Sequence, residues 1–232
     1  MTQSHRPQTS ALEERIGYHF HNTYLLECAL THTSYANEQK IRRYEDYERL
    51  EFLGDAVLEM VSSDFLYHEY PDRREGELTK LRASLVCEPA LAYCARDLEL
   101  DQYIRLGKGE ENGGGRQKDS IVSDVCEAVI GAMYLDSGGV DAPRQFILHF
   151  ILSDLEGKLL FYDAKSILQE VCQKNGKELS YVILDEKGPS HMPTYLAAVL
   201  IGGEQAGTGS GRSKKTAEQN AAYQALLQLR GQ

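Results

Sequence analysis

The sequence lacks most of the features that assign a chain to a class at first glance. No apolar stretch is long enough to cross a bilayer, and the opening "MTQSHRPQTS" is polar with no apolar signal core. Those absences lead to the expectation of a cytoplasmic protein without a membrane partner. Cysteine is sparse: Cys28, Cys87, Cys94, Cys126 and Cys172 are odd in number and form neither a CxxC pair nor a zinc spacing. They read as reduced thiols, and a chain of 232 residues can bury a core without staples. There is no HExxH motif. The glycine-rich "GKGEENGGG" is no phosphate loop, because it lacks the GK[ST] ending and a buried strand before it. Basic excess is missing too. The net charge of -10 taken as a sum argues against a polyanionic partner. The distribution matters more: residues 163–232 carry eight Lys/Arg against seven Asp/Glu, and the acidity is confined to the part before them.

What is there divides in two. Up to about residue 158 the apolar spacing is helical, with no strand-like alternation. Helices are expected over "TYLLECALTH", from Glu48 through "EMVSSDFLYHEY" to Pro71, over "GELTKLRASLV", and from Pro89, whose ring suits a first helical position. The stretch "GKGEENGGGRQKDS" reads as the longest irregular segment, followed by a helix pair broken at Ser137 to Gly139. Beyond it a helix "AKSILQEVCQKNG" precedes the strand-like "LSYVILD" and "TYLAAVLI", a glycine-rich turn "EQAGTGSG" and a last helix, in the order α-β-β-β-α. In that last helix Ala217, Ala221, Ala225 and Leu229, with Ala222 and Leu226, form a flat face suited to lie on a sheet. The expected fold is an all-α domain over residues 1–158, a linker at 159–162 and a small α+β domain over 163–232.

The chemistry concentrates in "ERLEFLGDAVL", residues 48 to 58. Glu48, Glu51 and Asp55 share one helical stripe, and Glu59 continues it, while Leu50, Phe52, Leu53, Val57 and Leu58 are available for packing. Gly54 costs roughly 1 kcal/mol of helix propensity relative to alanine, which asks for close approach of another backbone or a ligand. In "SDVCEAVIGA", Asp124 and Glu127 are neighbours on one face of a second helix. Packed together, the two helices would offer an oxygen-only cluster suited to Mg²⁺ or Mn²⁺. On spacing alone, clustered carboxylates in an acidic protein are equally compatible with a solvated surface.

The signature "ERLEFLGDAVL" resembles that of the ribonuclease III family, and "IGYHF", "LLECALTHTSY", "REGELTKLRASLV", "LGKGE" and "SDVCEAVIGAMYLD" resemble its other motifs in order. The tail resembles a double-stranded-RNA-binding domain, so that the likeness covers roughly residues 12 to 229. The resemblance implies a homodimeric, Mg²⁺-dependent endoribonuclease, with Mn²⁺ as a substitute, that cuts double-stranded RNA to 5′-phosphate and 3′-hydroxyl ends in processing ribosomal precursors and other structured RNAs. It implies that Glu51, Asp55, Asp124 and Glu127 bind metal, with Asp55 and Glu127 most intimate with catalysis. Glu48 and Glu75 match further acidic positions, and Lys118 and Ser120 match positions near the scissile region. A histidine pair of the pancreatic-ribonuclease type is unnecessary, since the metal would activate water for in-line attack on phosphorus.

For the tail the resemblance implies RNA contacts by Ser166, Gln169, Glu170 and Gln173 on its first helix, and by His191 in the "GPSH" loop. Lys214 and Lys215 open the last helix. Two cations there oppose the helix dipole, so a phosphate bridging them and the helix amides explains them better than solvation. Departures from the family pattern are small: Ala164 stands where proline or tyrosine is frequent, and the loop after "GKGE" is rich in glycine. Rival readings are a catalytically silent RNA-binding relative, which the intact carboxylates oppose, and a generic metal-dependent phosphohydrolase, which leaves the tail unexplained.

Overall fold

A computed structural model of the chain describes residues 9–40, 45–153, 164–188, 193–211 and 213–230. The expected linker at 159–162 and the expected boundary at 158 lie outside them. The chain divides into two compact units, one reaching to Ser153 and the other formed by the remainder. No helix among the described residues is long and apolar enough to cross a membrane.

The first unit is helical: α1 (Thr9–Ile16), α2 (Thr23–Ala29), α3 (Thr33–Glu38), α4 (Glu48–Glu69), α5 (Glu75–Leu85), α6 (Glu88–Asp97), α7 (Lys108–Asn112), α8 (Asp119–Ser137) and α9 (Asp141–Phe146), which a π turn extends over Ile147–Ile151. Helix α8 is the axis. Val122, Val125, Cys126, Val129, Ile130, Ala132 and Met133 are buried on every side of it, as a helix surrounded by others requires. It packs against α2, α4, α6 and α9 and ends at Gly138, whose φ of 72° is the left-handed stop that glycine adopts without strain. Just before that stop the carboxylate of Asp136, its side chain only 1% exposed, accepts from the Tyr18 hydroxyl and the backbone amides of His21 and Asn22. This knot ties the segment between α1 and α2 to the end of α8.

Two expectations change here. Phe52 is not in the core: it is 80% exposed, because it lies on the face of α4 opposite Leu50, Val57, Leu58 and Val61, which are buried. The stretch "GKGEENGGGRQKDS" is not irregular. It folds into α7 and a 3₁₀ turn, Gly115–Gln117, because Arg116 donates to the carbonyls of Asp101 and Ile104 and pairs with Glu111, supplying partners that the glycines cannot.

The second unit comprises α10 (Ala164–Lys174), β1 (Leu179–Lys187), β2 (Thr194–Ile201), β3 (Glu204–Gly211) and α11 (Lys214–Arg230), with the strands in an antiparallel β1-β2-β3 meander. The run expected as a glycine-rich turn is therefore a strand. A Cβ added to Gly207, Gly209 or Gly211 would run into the backbone of α11 at Ala225, Ala221 or Ala217, so every second position of β3 is bare where the helix lies on the sheet. Ala217, Ala221, Ala222, Ala225 and Leu226 form the buried face of that helix, and Leu168, Cys172 and Val199 complete the core. Leu229 does not belong to it: it is 44% exposed, beyond the sheet's reach.

Candidate active site and nucleic-acid interface

Helices α4 and α8 cross where each carries a glycine. A Cβ on Gly54 would collide with the Glu127 carbonyl, and one on Gly131 with the Leu50 carbonyl, so the backbones touch only because both positions are bare. The propensity lost at Gly54 is offset by this contact. The crossing sets the face bearing Glu51 and Asp55 beside the face bearing Asp124 and Glu127, and the four carboxylates feel one another. Burial, then the charges of Asp55, Asp124, Glu51 and Glu59, push the Glu127 carboxyl up to about 8. Burial, then Asp124, Glu48 and Asp55, push Glu51 up to about 7. Burial also raises Asp124, opposed by the Tyr47 hydroxyl and by His32.

Two cations of this region pair with acids other than these four. Arg82 pairs with Glu59 at 2.6 Å and donates to the Ser63 hydroxyl, so that Glu59, which continues the stripe of α4, has a cation partner of its own. Lys118 pairs with Glu110 at 2.7 Å. Among the described residues no three His, Cys, Asp or Glu side chains stand close enough together to hold a metal ion as they are placed. The donor set nevertheless fits a hard cation: it is all oxygen, and the neighbouring charges acting on Glu51 and Glu127 are those of other carboxylates, which a divalent ion would relieve. A cleft of about 820 Å³ lined by Glu14, Tyr18, Met133, Phe146 and His149 shares none of these residues.

Of the other expected residues, Glu48 is exposed in the first turn of α4, adjoining the cluster. Glu75 is exposed in the first turn of α5, where it accepts from the Thr79 hydroxyl. Lys118 and Ser120 flank the start of α8. Two residues that spacing could not reveal join the site. The Tyr47 hydroxyl donates to Oδ2 of Asp124 at 3.2 Å, and the His32 ring lies 5.5 Å from that of Tyr47. Their only signal in the sequence was position: Tyr47 directly precedes the acidic signature, and His32 stands in the motif "THTSY".

In the second unit Ser166, Gln169, Glu170 and Gln173 are all exposed, spaced to line one face of α10. Lys214 and Lys215 open α11, where the Ser213 hydroxyl accepts from the Thr216 amide at 3.1 Å. The ammonium of Lys214 lies 5.7 Å from the Tyr195 ring. His191 and its loop lie outside the described residues.

A family model described as Ribonuclease-III-like matches residues 22–155, more than half of the chain. The chain belongs to the ribonuclease III family. A second model, the double-stranded RNA binding motif, matches residues 164–229. Among relatives, Ribonuclease 3 of Bacillus velezensis is 49% identical over 96% of this chain and 90% of its own length. Ribonuclease 3 of Listeria innocua is 46% identical over 96% of this chain and 98% of its own. A solved structure of the ribonuclease III nuclease domain from Campylobacter jejuni, described for flexibility in a region involved in dimer formation, matches with a TM-score of 0.58 and 41% identity. It covers 62% of this chain and 96% of that one. The helical unit and the α-β-β-β-α unit are thus the ribonuclease III nuclease domain and a double-stranded-RNA-binding domain.

Proposed function

We propose that this chain is an Mg²⁺-dependent, homodimeric endoribonuclease of the cytoplasm that cuts double-stranded RNA, including ribosomal precursors, to 5′-phosphate and 3′-hydroxyl ends. Mn²⁺ is a workable substitute. The observation that carries the reading is the glycine-on-glycine crossing of α4 and α8, which gathers Glu51, Asp55, Asp124 and Glu127 so that burial and neighbouring carboxylates raise Glu51 and Glu127. Members of the family are metal-dependent, and these four side chains would hold the ion. Once bound, a divalent cation supplies an activated water and positive charge for the leaving 3′ oxygen.

The chain's own residues do the rest. Near neutrality and without metal, Glu127 keeps a proton on its carboxyl, which is given up when a cation takes its place. The exposed face of α4, with Phe52 one residue past Glu51 and Met60 two turns further on, offers an apolar surface to a second copy beside the carboxylates. Affinity for the polyanion falls to the second domain, where Lys214 and Lys215 at the head of α11 meet phosphates and the polar face of α10 meets a minor groove.

The test incubates the full chain with duplex RNA, single-stranded RNA and duplex DNA, with Mg²⁺ or with a chelator. Cleavage of duplex RNA alone, only with Mg²⁺, is expected. Binding without cleavage would make the protein a silent RNA-binding relative, and cleavage of DNA a general phosphohydrolase.

A further inference from the structure

We propose that Tyr47 is a positioning residue that presents Asp124 to the divalent cation, with the His32 ring holding Tyr47 in place; the inference rests on the carboxylate reading above. Tyr47 immediately precedes α4, and its backbone amide donates to the Thr31 carbonyl at 3.0 Å, which pins the start of the helix carrying Glu51 and Asp55. Its side chain reaches the other acidic helix, where the hydroxyl donates to Oδ2 of Asp124. One residue therefore sets the start of one acidic helix and the orientation of an acid on the other. A phenol suits this task better than a lysine or arginine would, because it fixes the carboxylate without neutralising it. With one oxygen held by Tyr47 and the Ser123 hydroxyl also acting on it, the carboxylate is oriented, and its remaining lone pairs can serve a cation. At 6% exposure Tyr47 is too buried to touch a duplex itself, so its action passes through Asp124.

His32 supplies the lateral support. Its ring stands tilted against that of Tyr47, and its Nδ1 accepts from the Ser34 amide at 3.1 Å. The Ser34 hydroxyl lies 2.7 Å from the same nitrogen and accepts from the Gly107 amide at 2.9 Å. Gly107 opens the segment that carries Glu110 and Lys118. A continuous line of contacts, Gly107 to Ser34 to His32 to Tyr47 to Asp124, thus joins that segment to the acidic cluster.

Tyr47→Phe removes the donor and keeps the ring. Binding of Mn²⁺ to the full chain, without RNA, is read from the loss of the free-ion paramagnetic resonance signal. The expected result is affinity roughly 10- to 100-fold weaker than in the unaltered chain. The melting temperature in chelator and the metal-free affinity for duplex RNA stay unchanged, and kcat recovers at saturating metal. His32→Leu should weaken Mn²⁺ in the same direction by a smaller factor. Mn²⁺ affinity of Tyr47→Phe within about twofold of the unaltered chain would overturn the proposal. So would a melting temperature in chelator that falls in step with Mn²⁺ affinity, which marks a packing role. Asp124→Asn is the control: if it binds Mn²⁺ as well as the unaltered chain, the carboxylate reading itself fails and takes this inference with it.

Discussion

Glu51 and Glu127 hold protons into the neutral range because burial and neighbouring carboxylates both disfavour their charged forms. From the ordinary carboxyl value of 4.5 up to about 8, the folded chain binds more protons at Glu127 than the unfolded chain does. Stability drawn from that difference is complete below 4.5 and is lost as pH rises through about 8. In chelator, Glu127→Gln should therefore flatten the fall of melting temperature between pH 4.5 and about 8 relative to the unaltered chain, and added Mg²⁺ should stabilise the unaltered chain more as pH rises through that range. An identical slope in the two proteins would show that the Glu127 proton is not what couples the fold to pH. The same substitution keeps shape and hydrogen bonding but removes the charge a hard cation needs, so cleavage should fall below detection while metal-free binding of duplex RNA persists. Asp136 behaves oppositely: the two amides and the Tyr18 hydroxyl hold it below its ordinary value, so its contribution is lost only in acid.

Among the elements, the crossing of α4 and α8 is the most demanding. Gly54→Ala gains roughly 1 kcal/mol of helix propensity, yet the new methyl meets the Glu127 carbonyl at a distance that cannot be relieved without parting the helices. Overpacking of this kind costs typically about 1–3 kcal/mol, occasionally more. A net loss of stability is expected in urea unfolding, together with loss of cleavage, because Asp55 and Glu127 move apart. Gly54 was legible in advance because a glycine inside a charged, otherwise helical signature calls for a reason. Its counterpart Gly131 was not, since it sits in "AVIGAMY", where a small residue draws no attention. Three strands were expected, but that "EQAGTGSG" forms the third was illegible for a related reason: alternating glycines carry no side-chain pattern, and their purpose appears only once α11 lies on them. Tyr47 and His32 escaped because their relation to Asp124 spans loops, and no helical period links them. Phe52 was misread because an apolar residue beside a core stripe looks the same whether it faces the core or a second chain.

For the whole molecule the division of labour between domains is measurable. Lys214→Ala with Lys215→Ala should weaken binding to duplexes of any sequence and lower the salt slope by about 0.9 for each phosphate no longer neutralised, taking the B-DNA value as a guide. Cleavage at saturating RNA should survive, and an unchanged slope would return both lysines to plain solvation. In the homodimer proposed above each acidic cluster would serve one strand. A purified mixed dimer of one unaltered and one Glu127→Gln chain should nick one strand of a duplex and release few double-strand breaks. Efficient scission of both strands, with subunit exchange excluded, would show that one cluster reaches both.

The crossing also imposes an order on synthesis. Tyr47 and Asp124, which meet across it, stand 77 residues apart. At ~5–20 residues per second, α4 leaves the ribosome roughly 4 to 15 s before its partner helix has been translated. Through that interval Leu50, Val57, Leu58 and Val61 have no α8 to cover them. The nascent chain is then at its most vulnerable to aggregation. A chaperone that engages it should do so after α4 emerges and let go once α8 has been made.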